Sequence, residues 1–318
     1  METIYIEQDN CVLHQAENHL VVKKQGHTIG SIPLINVSAI VILGNIQITS
    51  HAINLIFQKN INVMYTSKSG RINGQIQPQL NGGAVLRLAQ SNAFMNLEKR
   101  SKLAGSIVKG KIKNQVCLLE KYKRYYSLKS FNDVIFKLNS YSQKADVVHD
   151  LDEIMGYEGI SARMYWDCFR GLVKNQVFLR RDYRPAPDYI NSALNLGYTL
   201  LSNEITICLT AEKFDVEIGF LHSIHYGRAS LALDIMEEFR TPFIDAWLLN
   251  LFNKRILNET HFLDEEHGFY LSKDGFRRFI ALYHEHKNKW DWQKNFRLQA
   301  KKLKMAVLNN DNYEPFEW

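Results

Sequence analysis

The chain has 318 residues, 46% hydrophobic and 23% charged, which is the composition of an ordinary soluble globular protein with room for two domains and a substantial core. No apolar run reaches the ~18 residues that a membrane helix requires. The formal net charge of +6, from 39 Lys and Arg against 33 Asp and Glu, is compatible with a nucleic-acid partner without establishing one.

The opening METIYIEQDN lacks a basic region followed by an apolar run, so no signal peptide is expected. Cys11, Cys117, Cys168 and Cys208 lie far apart with no Cys-x-x-Cys pair, and read as reduced, buried thiols of a cytoplasmic protein rather than a zinc site or a disulfide frame. Residues 1–77 read as a β-domain. Thr3–Ile6, Val12–His14, Leu20–Lys23 and Ile32–Leu34 are short β-prone runs punctuated by Asn, Asp and Gly. Ala39–Leu43 is continuously apolar and ends at Gly44-Asn45, as expected of a strand covered on both faces. Ser50–Lys59 has Ile53, Ile56 and Phe57 at helical spacing with Ser50 as a possible N-cap, and Asn62–Tyr65 returns to strand.

Ser67–Gly83 is polar and rich in Gly and Asn, the best candidate for a connection; the expected division is a β-domain over 1–77, a linker over 78–85 and a helical domain over 86–318. The helical pattern is expected to hold from Ala84 to about Leu308 without strands. Asn92–Arg124 interleaves apolar residues with Lys99, Arg100, Lys102, Lys109, Lys111 and Lys113, a solvated helix face or a functional patch. Glu158 is bracketed by Gly156 and Gly159 at the expected start of an amphipathic helix, where the helix dipole alone would favour an acid. Arg180–Asp188 is a basic loop broken by Pro185 and Pro187. A last helix is expected over about Lys287–Val307, and Asn309–Trp318 reads as an extended acidic and aromatic tail.

The chemistry concentrates in Gly219–Arg240, GFLHSIHYGRASLALDIMEEFR. His222 and His225 precede an apolar helix on which Asp234 and Glu237, three residues apart, share a face. Carboxylates on a mostly buried helix need a partner, and a metal ion, an arginine such as Arg240 or a histidine could each serve. One histidine with two or three carboxylates suits Mg²⁺ or Mn²⁺ more than zinc. At a phosphodiester such an ion polarises the non-bridging oxygen and lowers the pKa of an attacking hydroxyl, while arginines hold phosphates in bidentate fashion.

Four motifs in order, Glu158-Gly-x-x-Ala-Arg-x-Tyr165, Arg184-Pro-x-Pro-Asp-x-x-Asn191, Gly219-Phe-Leu-His222 and Leu231-x-Leu-Asp-x-x-Glu-x-Phe-Arg240, resemble the CRISPR-associated endonuclease/integrase family, the larger subunit of the spacer-acquisition complex. Leu86-Arg87-Leu-Ala-Gln90, Gly110–Gln115 and Asn191–Leu201 support the likeness, which spans nearly the whole chain; Asn81-Gly82-Gly83-Ala84 departs from the usual turn before the Leu-Arg pair. The resemblance implies an α+β protein: an N-terminal β-sandwich-like domain that forms homodimers, then an all-α C-terminal catalytic domain. It implies that Glu158, His222 and Glu237 hold Mg²⁺ or Mn²⁺, with Asp234 a further catalytic residue, and it prefers His222 to His225. Arg87, Lys109, Lys111, Arg163, Arg180, Arg181, Arg184 and Arg228 are the candidates for contacts to double-stranded DNA, both the fragment and the repeat array. The partner implied is a small CRISPR adaptation subunit, together forming a heterohexamer, with Pro315, Phe316 and Trp318 as possible docking residues. The expected reaction is attack of a fragment's 3′-hydroxyl on a repeat phosphodiester. A nuclease using water at the same site and a non-catalytic DNA-binding scaffold are the alternatives.

Overall fold

The computed structural model describes residues 2–67, 70–78, 82–174, 178–183 and 185–318. Two compact units divide the chain, Met1–Gly83 and Ala84–Trp318.

In the first unit, β1 (Glu2–Ile6), β2 (Cys11–Ala16), β3 (His19–Lys24), β4 (His27–Pro33), β5 (Val37–Leu43), β6 (Ile46–Ile48), helix α1 (Ser50–Gln58), β7 (Asn62–Thr66) and β8 (Ile72–Ile76) follow in order. They form two four-stranded sheets, β1-β5-β7-β8 and β4-β3-β2-β6. The apolar run becomes β5, paired in parallel with β1 (Ile4 opposite Ile40) and β7 (Ile40 opposite Val63). Its alternate residues Ile40 and Ile42 join Leu13, Leu20 and Val22 of the other sheet and Leu55 and Ile56 of α1 in one core. Ala39 and Val41, which alternate with them along the strand, are buried too. This is the sandwich-like arrangement expected. The cap of α1 is Thr49, one residue earlier than Ser50, its hydroxyl accepting from the Ala52 N–H at 3.3 Å.

The stretch read as a polar connection contains β8, held to β7 by antiparallel backbone pairing such as Met64 with Gln75. Ile-Asn-Gly-Gln-Ile carries no strand signal of its own because an edge strand draws its stability from the neighbour's backbone.

The second unit is built from α2 (Ala84–Met95), α3 (Leu97–Tyr126), α4 (Asn132–Val147), α5 (Leu151–Leu172), α6 (Tyr189–Ala211), α7 (Ser230–Phe239), α8 (Ala246–Asn253), α9 (Lys273–Lys289) and α10 (Trp292–Asn309). Asn96 caps α3, Asp150 caps α5 and Asp188 caps α6, each accepting backbone N–H groups of the first turn. A π-helical turn, Arg240–Asp245, joins α7 to α8 around Pro242, which cannot donate to the helical ladder.

Three expectations change here. A hairpin, β9 (Phe262–Glu265) with β10 (Gly268–Leu271), interrupts the helices, its Phe262 and Phe269 packed on Tyr189 of α6. The expected last helix is split: Asp291 sits at φ 47° between α9 and α10. Glu158 lies well inside α5 rather than at a helix start, so the dipole does not account for it. No helix among the described residues is long and apolar enough to cross a membrane.

Candidate active site

Lys111 is the hub. It sits mid-way along α3, nearly fully buried, and its ammonium pairs with Glu158 of α5 and lies 2.6 Å from Glu237 Oε2 of α7. Burial disfavours the ammonium, yet Glu237 and Glu158 raise its pKa above the ordinary lysine value. On the other side of Glu237, Arg240 approaches Oε1 at 3.0 Å and stacks on the Tyr198 ring at 4.6 Å. Burial would push the Glu237 carboxyl up, but the Arg240 guanidinium and the Lys111 ammonium outweigh it and take it down to about 2. Among the described residues Lys111 is the one donor group that reaches Glu237 Oε2.

Asp234 does different work. Its Oδ2 accepts the backbone N–H of Phe220 and, at 3.0 Å, that of Leu221. Its Oδ1 accepts the His222 N–H at 2.9 Å and stands 2.7 Å from His222 Nδ1. An ionised carboxylate can only accept, so Nδ1 carries the proton and Nε2 is the ring nitrogen left for a ligand. Burial would lower the imidazole pKa, but the Asp234 hydrogen bond together with the Asp234 and Glu237 charges outweighs it, and the pKa is raised. Asp234 is fully buried and committed to this loop. A Cβ at Gly219 would stand 2.8 Å from Asp234 Oδ2 and 2.9 Å from the Ser230 backbone, which explains why the Gly-Phe-Leu-His motif opens on glycine. His225 is exposed further along the same loop.

Glu238 faces away from Glu237. Burial pushes its carboxyl up to about 8, against the lowering effect of hydrogen bonds from the Phe316 N–H and the Tyr313 hydroxyl. Asp245, in the π turn, accepts the Tyr165 hydroxyl at 2.8 Å and the Tyr198 hydroxyl. Burial raises its carboxyl from 3.8 to about 6 despite those donors. The folded state therefore holds this proton more tightly than the unfolded chain. Its stabilising contribution is fully present below the ordinary carboxylate value and is lost as pH rises through about 6, a difference of about 3 kcal/mol. Melting curves of Asp245→Asn and the parent, recorded from about pH 4 to about pH 6.5, should show the variant gaining relative stability as pH rises. Parallel curves would contradict this.

The remaining sequence candidates scatter. Lys109 pairs with Asp146 at 2.7 Å and Arg180 with Asp182 at 3.1 Å. Arg181 is taken up internally: it donates to Asn191 at 2.9 Å and Asn195 at 2.6 Å and lies over the Tyr183 ring. Arg228 holds its own loop, donating to the Ser223 carbonyl and, at 3.2 Å, to the Ser230 hydroxyl. Arg163 is exposed on α5 and Arg87 half-buried on α2. Arg184 lies outside the described residues.

The arrangement gathers two carboxylates from different helices around one positive charge, beside a loop that presents an oriented imidazole. Among the described residues no three His, Cys, Asp or Glu side chains stand together as a formed metal cage. The donor set nevertheless fits a hard divalent cation: Glu158 and Glu237 already converge on one ammonium, and His222 Nε2 is uncommitted. Sequence reasoning missed that Lys111 bridges the acids, having placed it on a DNA-facing surface. Nothing in a run of lysines on α3 distinguishes the one that points inward.

A model of the family described as CRISPR associated protein Cas1 matches residues 4–285. A Thermus thermophilus protein named CRISPR-associated endonuclease Cas1 1 is 27% identical over 323 residues, covering 99% of this chain and 98% of that protein. The solved structure of a CAS1 protein from Thermotoga maritima has a TM-score of 0.84 at 27% identity, covering 97% of each chain. A casposase bound to integration product shares the fold, with a TM-score of 0.85 at 22% identity, covering 100% of this chain and 94% of that one.

Proposed function

The chain belongs to the CRISPR associated protein Cas1 family, and from that premise we propose that it is a metal-dependent DNA endonuclease and strand-transfer integrase that inserts short DNA fragments into a repeat array. The observation that carries this reading is the convergence of Glu158 and Glu237, from α5 and α7, on one buried positive charge beside the Asp234-oriented imidazole of His222. Glu158, Glu237 and His222 would hold Mg²⁺ or Mn²⁺, which when bound polarises the phosphodiester and eases ionisation of the attacking hydroxyl. Arg240 keeps Glu237 ionised despite its burial. Asp234 fixes the imidazole tautomer that leaves the Nε2 lone pair for a ligand. Lys111 supplies fixed positive charge where a phosphate must approach two carboxylates. In the joining step the fragment's 3′-oxygen bonds to a repeat phosphorus while the bond from that phosphorus to the repeat's own 3′-oxygen breaks.

Family membership also motivates the assembly: homodimers through the N-terminal β-domain (1–77, before a linker at 78–85 and the catalytic domain at 86–318), and two such dimers flanking a dimer of a small adaptation subunit in a cytoplasmic heterohexamer. Arg87, Lys109, Arg163, Arg180 and Arg228 remain candidates for backbone contacts to DNA, so binding should weaken steeply with salt. The test is an integration assay with the co-purified small subunit and a labelled fragment, run with Mg²⁺, with Mn²⁺ and with chelator. Label joined to the repeat strand only when a divalent ion is present is the expected result. Cleavage without joining would leave a hydrolytic nuclease, and joining unaffected by chelator would overturn the metal-dependent reading.

A further inference from the structure

Residues 312–318 have no regular secondary structure, yet they are built into the helical unit behind the candidate active site. Tyr313 is buried, and its hydroxyl donates to Glu238 Oε1 at 2.7 Å, while the Phe316 N–H donates to Glu238 Oε2 at 2.7 Å. Asn114 of α3 donates to the Glu238 carbonyl at 2.7 Å and to the Phe316 carbonyl at 2.8 Å, and accepts the Trp318 N–H at 2.8 Å. The Phe316 ring stacks on Phe239 with centroids 4.8 Å apart. Gln299 of α10 reaches the Tyr313 hydroxyl at 2.8 Å and the Glu314 carbonyl at 2.7 Å. Pro315 lies so close to Gly110 of α3 that a Cβ there would stand 2.5 Å from its own Cβ.

The two helices this segment ties together are the two that carry Lys111 and Glu237. Gly110 precedes Lys111, Asn114 follows it by one turn, and Glu238 follows Glu237. We propose that residues 312–318 act as a positioning strap for the active site, locking α3 against α7 so that Lys111 and Glu237 meet. The proposal rests on the functional reading above. Its physical basis is that Glu238 is fully buried and the hydrogen bonds described for its carboxylate come from the strap. Without them a buried carboxyl loses its donors and α7 must move to hydrate it. A displacement near 1 Å at a catalytic group costs on the order of 100-fold in rate.

The test uses full-length Gly110→Ala, Tyr313→Phe, Phe316→Ala and Phe316→Tyr, none of which touches a proposed ligand. Alanine is a better helix former than glycine inside a helix, so a loss in Gly110→Ala cannot come from a weaker α3. Joining rate at saturating DNA, Kd for DNA, melting temperature and release of the C-terminal residues by carboxypeptidase are measured together. Expected are faster carboxypeptidase trimming and a fall of at least about 10-fold in rate for Gly110→Ala and Phe316→Ala, at unchanged DNA Kd and below the melting transition. Tyr313→Phe should lose rate in the same way, and Phe316→Tyr should restore parental behaviour. Parental rates in Gly110→Ala and Phe316→Ala despite faster trimming would overturn the proposal. So would rates that fall only in step with melting temperature and DNA affinity. Glu158→Gln serves as the reference: if it joins DNA normally the functional reading itself fails, whereas if it is inactive and the strap variants are not, only the strap fails.

Discussion

Glu158→Gln should lose DNA joining by at least about 1,000-fold while its melting temperature stays close to the parent's, and Glu237→Gln should lose both. The two acids share a cation but differ in surroundings. The Glu158 side chain keeps 29% of its surface exposed and, among the described residues, makes a single ion pair, to Lys111, so its neutral isostere costs within about 1 kcal/mol of stability. Glu237 is 4% exposed and balances two buried cations, Lys111 and Arg240. Neutralising it takes from Arg240 the carboxylate it pairs with and leaves Lys111 with Glu158 alone, a loss of about 3–5 kcal/mol. Measuring strand joining and thermal melting on both variants separates a catalytic carboxylate from a structural one. If Glu158→Gln kept wild-type joining in Mn²⁺, Glu158 would be no more than a surface partner for Lys111.

Asp234→Ala should be the most destabilising single change in the His222 loop, by about 3–5 kcal/mol, and should cost about 100-fold in joining rate. Three backbone N–H groups, of Phe220, Leu221 and His222, lose their acceptor at once, and the imidazole loses the partner that fixes its tautomer. Asp234→Asn keeps one acceptor oxygen, so it should retain more stability than the alanine variant while the imidazole still loses its anionic partner. Chemical denaturation gives the stability order, and the chemical shifts of ¹⁵N-labelled His222 report the tautomer. A His222 spectrum unchanged in Asp234→Asn would show that another group orients the ring. Replacing His222 and His225 singly completes the comparison: the exposed His225 should be dispensable, and equal losses would undo the assignment.

The strands were readable where the chain supplies its own apolar run, as in β5, and unreadable where backbone pairing supplies the stability, as in β8 of the first unit and the β9–β10 hairpin of the second. The same division runs through the active site. Asp234 and Glu237 could be picked out as carboxylates on an apolar helix, whereas Glu158 and the choice of His222 over His225 came from the family resemblance of their motifs. The nearby partners Arg240 and His222 were within reach of the local pattern, but Lys111 was not, because it lies 126 residues from Glu237 (237 − 111) and resembles the lysines beside it. Arg181 shows the converse: a basic loop residue singled out for its charge has internal partners, Asn191 and Asn195, that the local pattern did not indicate.

The amino-acid sequence by itself determined the order of a β-domain and a helical domain, the family, and the residue types that could hold a hard cation, since these follow from local periodicity and from motifs in fixed order. Only the tertiary structure decided which acid does what. Asp234 and Glu237 share a helix face, but Asp234 is turned to backbone N–H groups and His222, Glu237 to Lys111 and Arg240, and Glu238 to the C-terminal strap. A carboxylate's role is set by the charges and donors within a few ångströms of it, and those arrive from α3, the loop before α7 and residues 312–318, distances along the chain that no local pattern spans.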